Sequence, residues 1–171
     1  MNNERKWILR GGRVLNPAPF CLIGIVNVTP DSFSDGGKYI DPRNAVAHGL
    51  RLLDEGAGML DLGAESTRPF AEPVPEGEEI ARLMPVVAGL RGQWPEAILS
   101  VDTLKAGTAR AALEGGADII NDVSACVADP ALLDVLAEYK PGYVLMHSQG
   151  SPREMQVNPR YGNVVEEILA F

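Results

Sequence analysis

The sequence predicts an α/β protein whose parallel strands are wound as a barrel. Three observations carry this. Short apolar runs alternate with amphipathic stretches along the chain, the order that yields a parallel sheet with right-handed crossovers. A local pattern recurs: Gly56-Ala-Gly-Met-Leu-Asp-Leu62 resembles Gly116-Ala-Asp-Ile-Ile-Asn-Asp122. In each, a glycine ends a helix and a short apolar strand closes on a carboxylate or amide. Finally, polar residues close every strand rather than gathering at one switch point, and no Gly-x-Gly-x-x-Gly turn follows the first strand. That favours a (β/α)8 TIM-type barrel, where several strands share one mouth, over a doubly wound sheet.

The elements follow in order. Lys6–Leu9 and Arg13–Leu15 flank Gly11-Gly12 and predict a short hairpin over residues 5–16. Asn16-Pro-Ala-Pro19 separates it from the first inner strand, Leu22–Val28. Arg43–Glu55 is a helix with Val46, Leu50 and Leu53 on one stripe, and Gly56 suits its C-terminal cap. Met59–Gly63 is the second strand. A long loop, 64–77, leads to a helix over Glu78–Leu90, where Pro85 predicts a kink or a late start. Ile98–Asp102 is the third strand, and Thr103 is placed to cap the helix Lys105–Glu114. Asp118–Val123 is the fourth strand. Asp129-Pro130 opens a helix whose apolar face is Leu132, Leu133 and Leu136. Tyr143–Met146 is the fifth strand, and Asn163–Phe171 begins a further helix with Val164, Ile168 and Phe171 on one side.

That makes about five inner strands, whereas a barrel has eight and usually needs at least ~200 residues. No Gly, Pro or basic last turn stops the final helix. Residues 1–171 therefore read as the N-terminal portion of one barrel domain of a longer protein.

Composition narrows the function classes. An apolar share of 46% excludes a disordered segment. A net charge of -8 argues against nonspecific nucleic-acid binding, which needs a basic face. It leaves room for a small anionic substrate held by a few local donors. The two cysteines, Cys21 and Cys126, are too few for a disulfide framework. No segment has transmembrane length and the first residues lack a signal-type apolar stretch, so the expected location is the cytoplasm.

Chemistry concentrates where the strands end. The run Ile25-Val-Asn-Val-Thr-Pro-Asp-Ser-Phe-Ser-Asp-Gly-Gly37 passes from an apolar strand to a polar, glycine-ended loop. Two turn pairs, Pro30-Asp31 and Asp35-Gly36, around Phe33 exceed what one connection needs. Strand parity puts Ser100 with Asp102 on one face, Ile119 with Asn121, Met59 with Asp61, and Ile25 with Asn27. Asp61 and Asp122 are expected to anchor loops. Asp102 and Asn121 are not so readily explained away. A carboxylate accepts two hydrogen bonds and an amide both donates and accepts. Together they match the edge of an aminopyrimidinone ring. Asn27, Asp31 and Asp35 are oxygen donors of the kind magnesium takes alongside substrate phosphate and water. Arg68 offers a planar fork for phosphate or carboxylate. His147 is expected to be structural, Met146 to contact a flat ring, and His48 to face solvent.

Five segments fall in order as they do in dihydropteroate synthases: the run 25–37, Asp61-Leu-Gly-Ala-Glu-Ser-Thr-Arg-Pro69, Ser100-Val-Asp-Thr103, Ile119-Ile-Asn-Asp122 and Leu145-Met-His-Ser-Gln-Gly150. The chain thus resembles that pterin-binding family over residues 20–162, with Ala64 where a second glycine is common. The resemblance implies a pterin-binding barrel in folate biosynthesis that joins a dihydropterin CH2-diphosphate to 4-aminobenzoate, the target of sulfonamides. It implies Mg2+ at Asn27 and Asp35, and catalytic roles for Asp35 and Arg68. Asp102 and Asn121 would hold the pterin. Phe33, Thr67, Arg68, Pro69 and Met146 would complete the substrate pockets, and loops 29–37 and 64–77 would close over them. Further family residues, a lysine and an arginine–histidine anion pocket, are expected after Phe171, so activity of these 171 residues alone is doubtful. The implied partners are the two small substrates, with neither nucleic acid nor membrane, and a homodimer for the full-length form. Two other readings stay open: a pterin-dependent methyltransferase domain and a non-catalytic pterin-binding fragment.

Overall fold

In the computed structural model, residues 6–29, 41–65, 73–150, 155 and 158–171 are described. The chain opens with an antiparallel pair, β1 (Trp7–Ile8) and β2 (Val14–Leu15), joined through a 3-10 turn at Arg10–Gly12. Then come β3 (Ile23–Asn27), α1 (Pro42–Asp54), β4 (Met59–Gly63), α2 (Glu76–Gln93), β5 (Leu99–Asp102), α3 (Ala106–Glu114), β6 (Ile119–Asp122), α4 (Leu132–Tyr139), β7 (Gly142–Leu145) and α5 (Val164–Ala170).

Strands β3 to β7 form one parallel sheet in the order β3-β4-β5-β6-β7. The order never reverses, so successive crossovers of one hand lay α1 to α4 on the same face. That is barrel winding. The sheet is not closed: β3 and β7 are its two edges. Val26, Leu60, Leu62, Leu99, Val101 and Ile120 point to the helices and are fully buried against Leu83, Val86, Leu90, Leu113 and Leu132. The opposite face holds the other parity. It carries Ile23 and Ile25, which remain 54% and 61% exposed on β3.

The amino ends of the strands are plugged by the hairpin. Leu9 and Leu15 pack with Met59 and Ile119, flanked by Trp7, Cys21 and Ile98. Gly142 is required there, because a Cβ would stand 2.7 Å from Leu9 and 2.8 Å from Ile119. Beneath the plug, Asp118 joins Arg13 at 2.6 Å, Arg91 at 3.0 Å and the Leu99 amide at 2.9 Å. The recurring glycines do the same job twice: Gly56 and Gly116 have φ of +105° and +102°, ending α1 and α3 before β4 and β6.

Several expectations are corrected. The helix expected over Glu78–Leu90 runs from Glu76 to Gln93 and continues through Pro85. Pro85 lies on the exposed side, where the carbonyl that it leaves unbonded is accessible to solvent, while Leu83, Val86, Val87 and Leu90 bury the other side. Thr103 does accept the Lys105 amide at 3.2 Å, but α3 starts at Ala106. Its first free amides, Ala106 and Gly107, are bonded from other elements, by Asp129 and Glu76, each at 2.8 Å. Asp129 bonds the Ala131 amide, and α4 proper begins at Leu132. The fifth strand is Gly142–Leu145, one residue earlier than expected. His48 is half-buried on α1, with Nδ1 2.8 Å from Arg51. Among the described residues, no helix is long and apolar enough to cross a membrane.

Candidate functional site

The parallel registers stack the inner-face residues in layers. Asn27, Gly63, Asp102, Asn121 and Val144 are successive partners across the five strands at their carboxyl ends. One layer lower run Ile25, Asp61, Ser100, Ile119 and Gly142. The sheet therefore sets Asp102 and Asn121 side by side. Gly63 separates Asp102 from Asn27, and a Cβ there would lie 3.7 Å from the Asp102 carboxylate and 3.8 Å from Asn27 Oδ1. Glycine keeps that space clear.

Three polar groups of this face form a linked set. Asn121 Nδ2 donates to Asp61 Oδ2 at 3.0 Å, reaching across β5 over the small side chain of Ser100. Asp61 Oδ1 and Ser100 Oγ are buried without a hydrogen-bond partner. Asp61 is thus no loop anchor, as the sequence reading expected. Its parity puts it on the inner face, inside the sheet, where the donor that reaches it is Asn121. Asp122 does anchor its loop. It takes the Ser124 amide at 2.7 Å, the Ser124 hydroxyl at 2.8 Å, the Cys126 amide at 2.6 Å and the Tyr143 hydroxyl at 2.9 Å. These bonds hold Ala125 and Cys126 at positive φ. Burial, then the bonds to Cys126 and Asp122, drive the Tyr143 hydroxyl well above its ordinary value, and burial raises the Cys126 thiol.

Asp102 is the electrostatic centre of the site. Burial, the largest cause, together with the negative charges of Asp61, Glu79, Asp122 and Glu65, raises its carboxyl from 3.8 to about 7. Among the described residues, no cation pairs with it. Lys105, on the loop after β5, is held elsewhere: its ammonium sits 2.5 Å from Glu65 and 2.7 Å from the buried Glu79, which also accepts from Thr108 at 3.1 Å. Burial alone would lower the Lys105 ammonium, but the bonds to Glu65 and Glu79 outweigh it and raise it. This knot ties the base of the loop that begins at Glu65. Sequence reading missed it, because Glu65, Glu79 and Lys105 come from three separate elements.

Asn27 lies at the exposed rim of β3 in the same layer. Met146 follows β7 on the parity of Val144, its amide bonded to the Asp122 carbonyl at 3.2 Å. His147 packs on Tyr161 and edge-on to Phe171, with ring centroids 5.7 and 4.8 Å away, as a structural histidine does. Phe33, Asp35, Thr67, Arg68 and Pro69 lie outside the described residues, as do Pro30 and Asp31. Among the described residues, no group of three His, Cys, Asp or Glu side chains converges to hold a metal.

The arrangement offers two adjacent acceptors, the half-buried Asp102 carboxylate and the Asn121 amide oxygen, on the inner face. It suits a flat ring that presents N–H donors along one edge. Comparison with known proteins identifies the family. Residues 23–171 match the family model described as pterin binding enzyme. Dihydropteroate synthase of Mycobacterium leprae is 47% identical over 154 residues, 90% of this chain and 54% of that protein. The Xanthomonas albilineans dihydropteroate synthase solved with 4-aminobenzoic acid is 46% identical and superposes with a TM-score of 0.81, covering 96% of this chain and 58% of that one. The Burkholderia cenocepacia dihydropteroate synthase complexed with 7,8-dihydropteroate is 38% identical, with a TM-score of 0.80 over 97% of this chain and 55% of that one. The chain thus spans about half the length of the curated relatives it matches. With the family model covering most of its residues and the inner-face layer shaped as described, the chain belongs to the pterin binding enzyme family.

Proposed function

We propose that this chain provides the pterin-holding part of a dihydropteroate synthase. The observation that carries it is the Asp102–Asn121 pair. A half-buried carboxylate that pairs with no cation among the described residues costs stability, and the fold retains it where a donor-rich ring edge would satisfy it. Relatives solved with 4-aminobenzoic acid and with 7,8-dihydropteroate support the two halves of the reaction. In that reaction the amine nitrogen of 4-aminobenzoate forms a bond to the pterin methylene carbon, the C–O bond to diphosphate breaks, and the amine proton leaves with the departing anion or solvent. Asp102 and Asn121 fix the ring, so the methylene carbon has one position relative to the incoming amine. Thr67, Arg68, Phe33 and Pro69 are proposed for the aminobenzoate and anion pockets, and Met146 for the flat of the ring.

Magnesium would neutralise charge on the leaving diphosphate when bound. Asn27 fits as one neutral oxygen ligand: its Oδ1 faces the cleared space above Gly63 and the rim is open to water. Magnesium asks for few protein ligands and takes the rest from phosphate and water. Asp35 is proposed as the second ligand. A cytoplasmic setting and a homodimer for the full-length protein complete the proposal.

The test is ring binding. Calorimetric titration of the 171-residue chain with 6-hydroxymethylpterin is expected to show one site that Asp102→Asn weakens strongly. Product formation by the chain alone is expected to be slight, since its sheet is open at β3 and β7. No pterin binding at millimolar ligand would overturn the reading.

A further inference from the structure

We infer that Asp61 is a positioning residue that fixes which way the Asn121 amide faces, and so sets the hydrogen-bond pattern that the site offers a ring. The inference rests on the pterin-holding function proposed above.

The two ends of an asparagine amide have nearly the same shape, so packing alone does not decide between them. Here chemistry decides. A carboxylate only accepts, so the Asn121 atom 3.0 Å from Asp61 Oδ2 is the nitrogen. The amide is planar, with nitrogen and oxygen on opposite sides. Asp61 lies one layer below Asn121 in the sheet, toward the plugged end. Nδ2 therefore points down and across β5, and Oδ1 is turned toward the carboxyl ends of the strands. Among the described residues, Oδ1 accepts no hydrogen bond. It stands beside the Asp102 carboxylate as a second acceptor.

The cost of this arrangement marks it as more than packing. Asp61 Oδ1 and Ser100 Oγ are buried and unpartnered, and the Asp61 charge lies near Asp102. A leucine or asparagine at 61 would relieve the repulsion between the two carboxylates. Neither would dictate the amide's orientation: leucine offers no acceptor, and asparagine offers Asn121 both a donor and an acceptor. Only an acceptor-only group forces the oxygen outward. The consequence is specificity. A ring with an amino donor on the edge facing Asp102 and Asn121 is favoured, and a ring with an oxygen there meets two acceptors.

Pterin and lumazine supply the test, because lumazine carries an oxygen where pterin carries the ring amino group. Wild-type chain is expected to prefer pterin, and Asp61→Asn to reduce that preference at least tenfold without lowering the melting temperature. In an Asn121→Ala background the same substitution is expected to change the preference by less than twofold. A ligand-free readout accompanies it: the Asn121 side-chain amide protons, one shifted and protected in wild type, should become a solvent-like pair in Asp61→Asn. An unchanged pterin-to-lumazine ratio in Asp61→Asn, or an equal drop in the Asn121→Ala background, overturns the inference. If wild type binds neither ring, the proposed function fails, and the Asn121 amide signals alone decide the role of Asp61: a change supports it and no change overturns it.

Discussion

Two aspartates of this sheet, Asp118 and Asp102, have opposite surroundings. Asp118, just before β6, is buried beneath the hairpin plug, and its carboxylate meets two arginines and a backbone amide. Asp102, at the other end of β5, pairs with no cation among the described residues and lies near the carboxylates of Asp61, Glu79, Asp122 and Glu65. Cations were available at that end, since Lys105 lies on the same loop, but Glu65 and Glu79 hold it. The amino-end face of the sheet is built to be stable. The carboxyl-end face holds a carboxylate that pairs with no cation among the described residues, which fits the ring-holding role proposed for it. This division is the one expected of a barrel, with stability at the bottom and chemistry at the top.

The sharpest way to break the contrast is to remove the well-paired aspartate. Asp118→Ala leaves Arg13 and Arg91 facing a partly buried hole. A loss of about 3–5 kcal/mol is expected in urea unfolding, since breaking a buried pair strands the remaining charges. Pterin affinity of the molecules that stay folded should be unchanged. Loss of affinity without loss of stability would erase the distinction between the two ends.

The unpaired aspartate should behave in the opposite sense. Its folded value of about 7 lies above the ordinary 3.8, so the folded state binds the extra proton between those limits. Its contribution to stability is therefore greatest below about pH 4, falls as pH rises toward 7, and is flat above. Asp102→Asn removes the dependence. The difference in unfolding free energy between variant and wild type should grow in the variant's favour by on the order of 2–4 kcal/mol from pH 4 to pH 8. Parallel stability curves for the two proteins would show that Asp102 is not the group that titrates.

A third carboxylate gives a finer comparison. Asp122 adjoins Asn121 in sequence yet is fully satisfied by four donors. Tyr143→Phe removes one of them. A stability loss of about 1 kcal/mol is expected, with pterin affinity held within twofold. A large loss of pterin binding would mean that the loop, and not the strand register alone, sets Asn121.

The sequence made much of this legible, and the reason is local. Alternating parity along strands of four or five residues sorts Asp102, Asn121, Asn27 and Asp61 from the helix-facing aliphatic side chains of their own strands. The recurring glycine at positions 56 and 116 announced two helix ends, and both glycines take positive φ. What parity could not supply was reach. That Asn121 crosses β5 to bond Asp61 depends on Ser100 being small and on a one-layer offset between strands that are 60 residues apart. The bonds from Glu76 and Asp129 to the start of α3 come from other elements, so the sequence offered only Thr103, which bonds the Lys105 amide just before the helix, as a candidate cap and not these two. Pro85 misled because helix breaking was judged without knowing which side faces water. The Lys105 knot was hidden for the same reason as the Asp118 pair: partners distant in the chain meet only once the sheet is wound.

The most direct test of the central claim is pterin affinity against pH for wild type and Asp102→Asn, from about pH 5 to about pH 8. If the carboxylate of Asp102 receives the ring donors, wild-type affinity should climb by up to about tenfold per pH unit below 7 and then level off. The variant should bind roughly 10- to 100-fold more weakly at the plateau and show no such climb. A wild-type profile that is flat through pH 7, or a variant that matches wild type at every pH, would contradict the account.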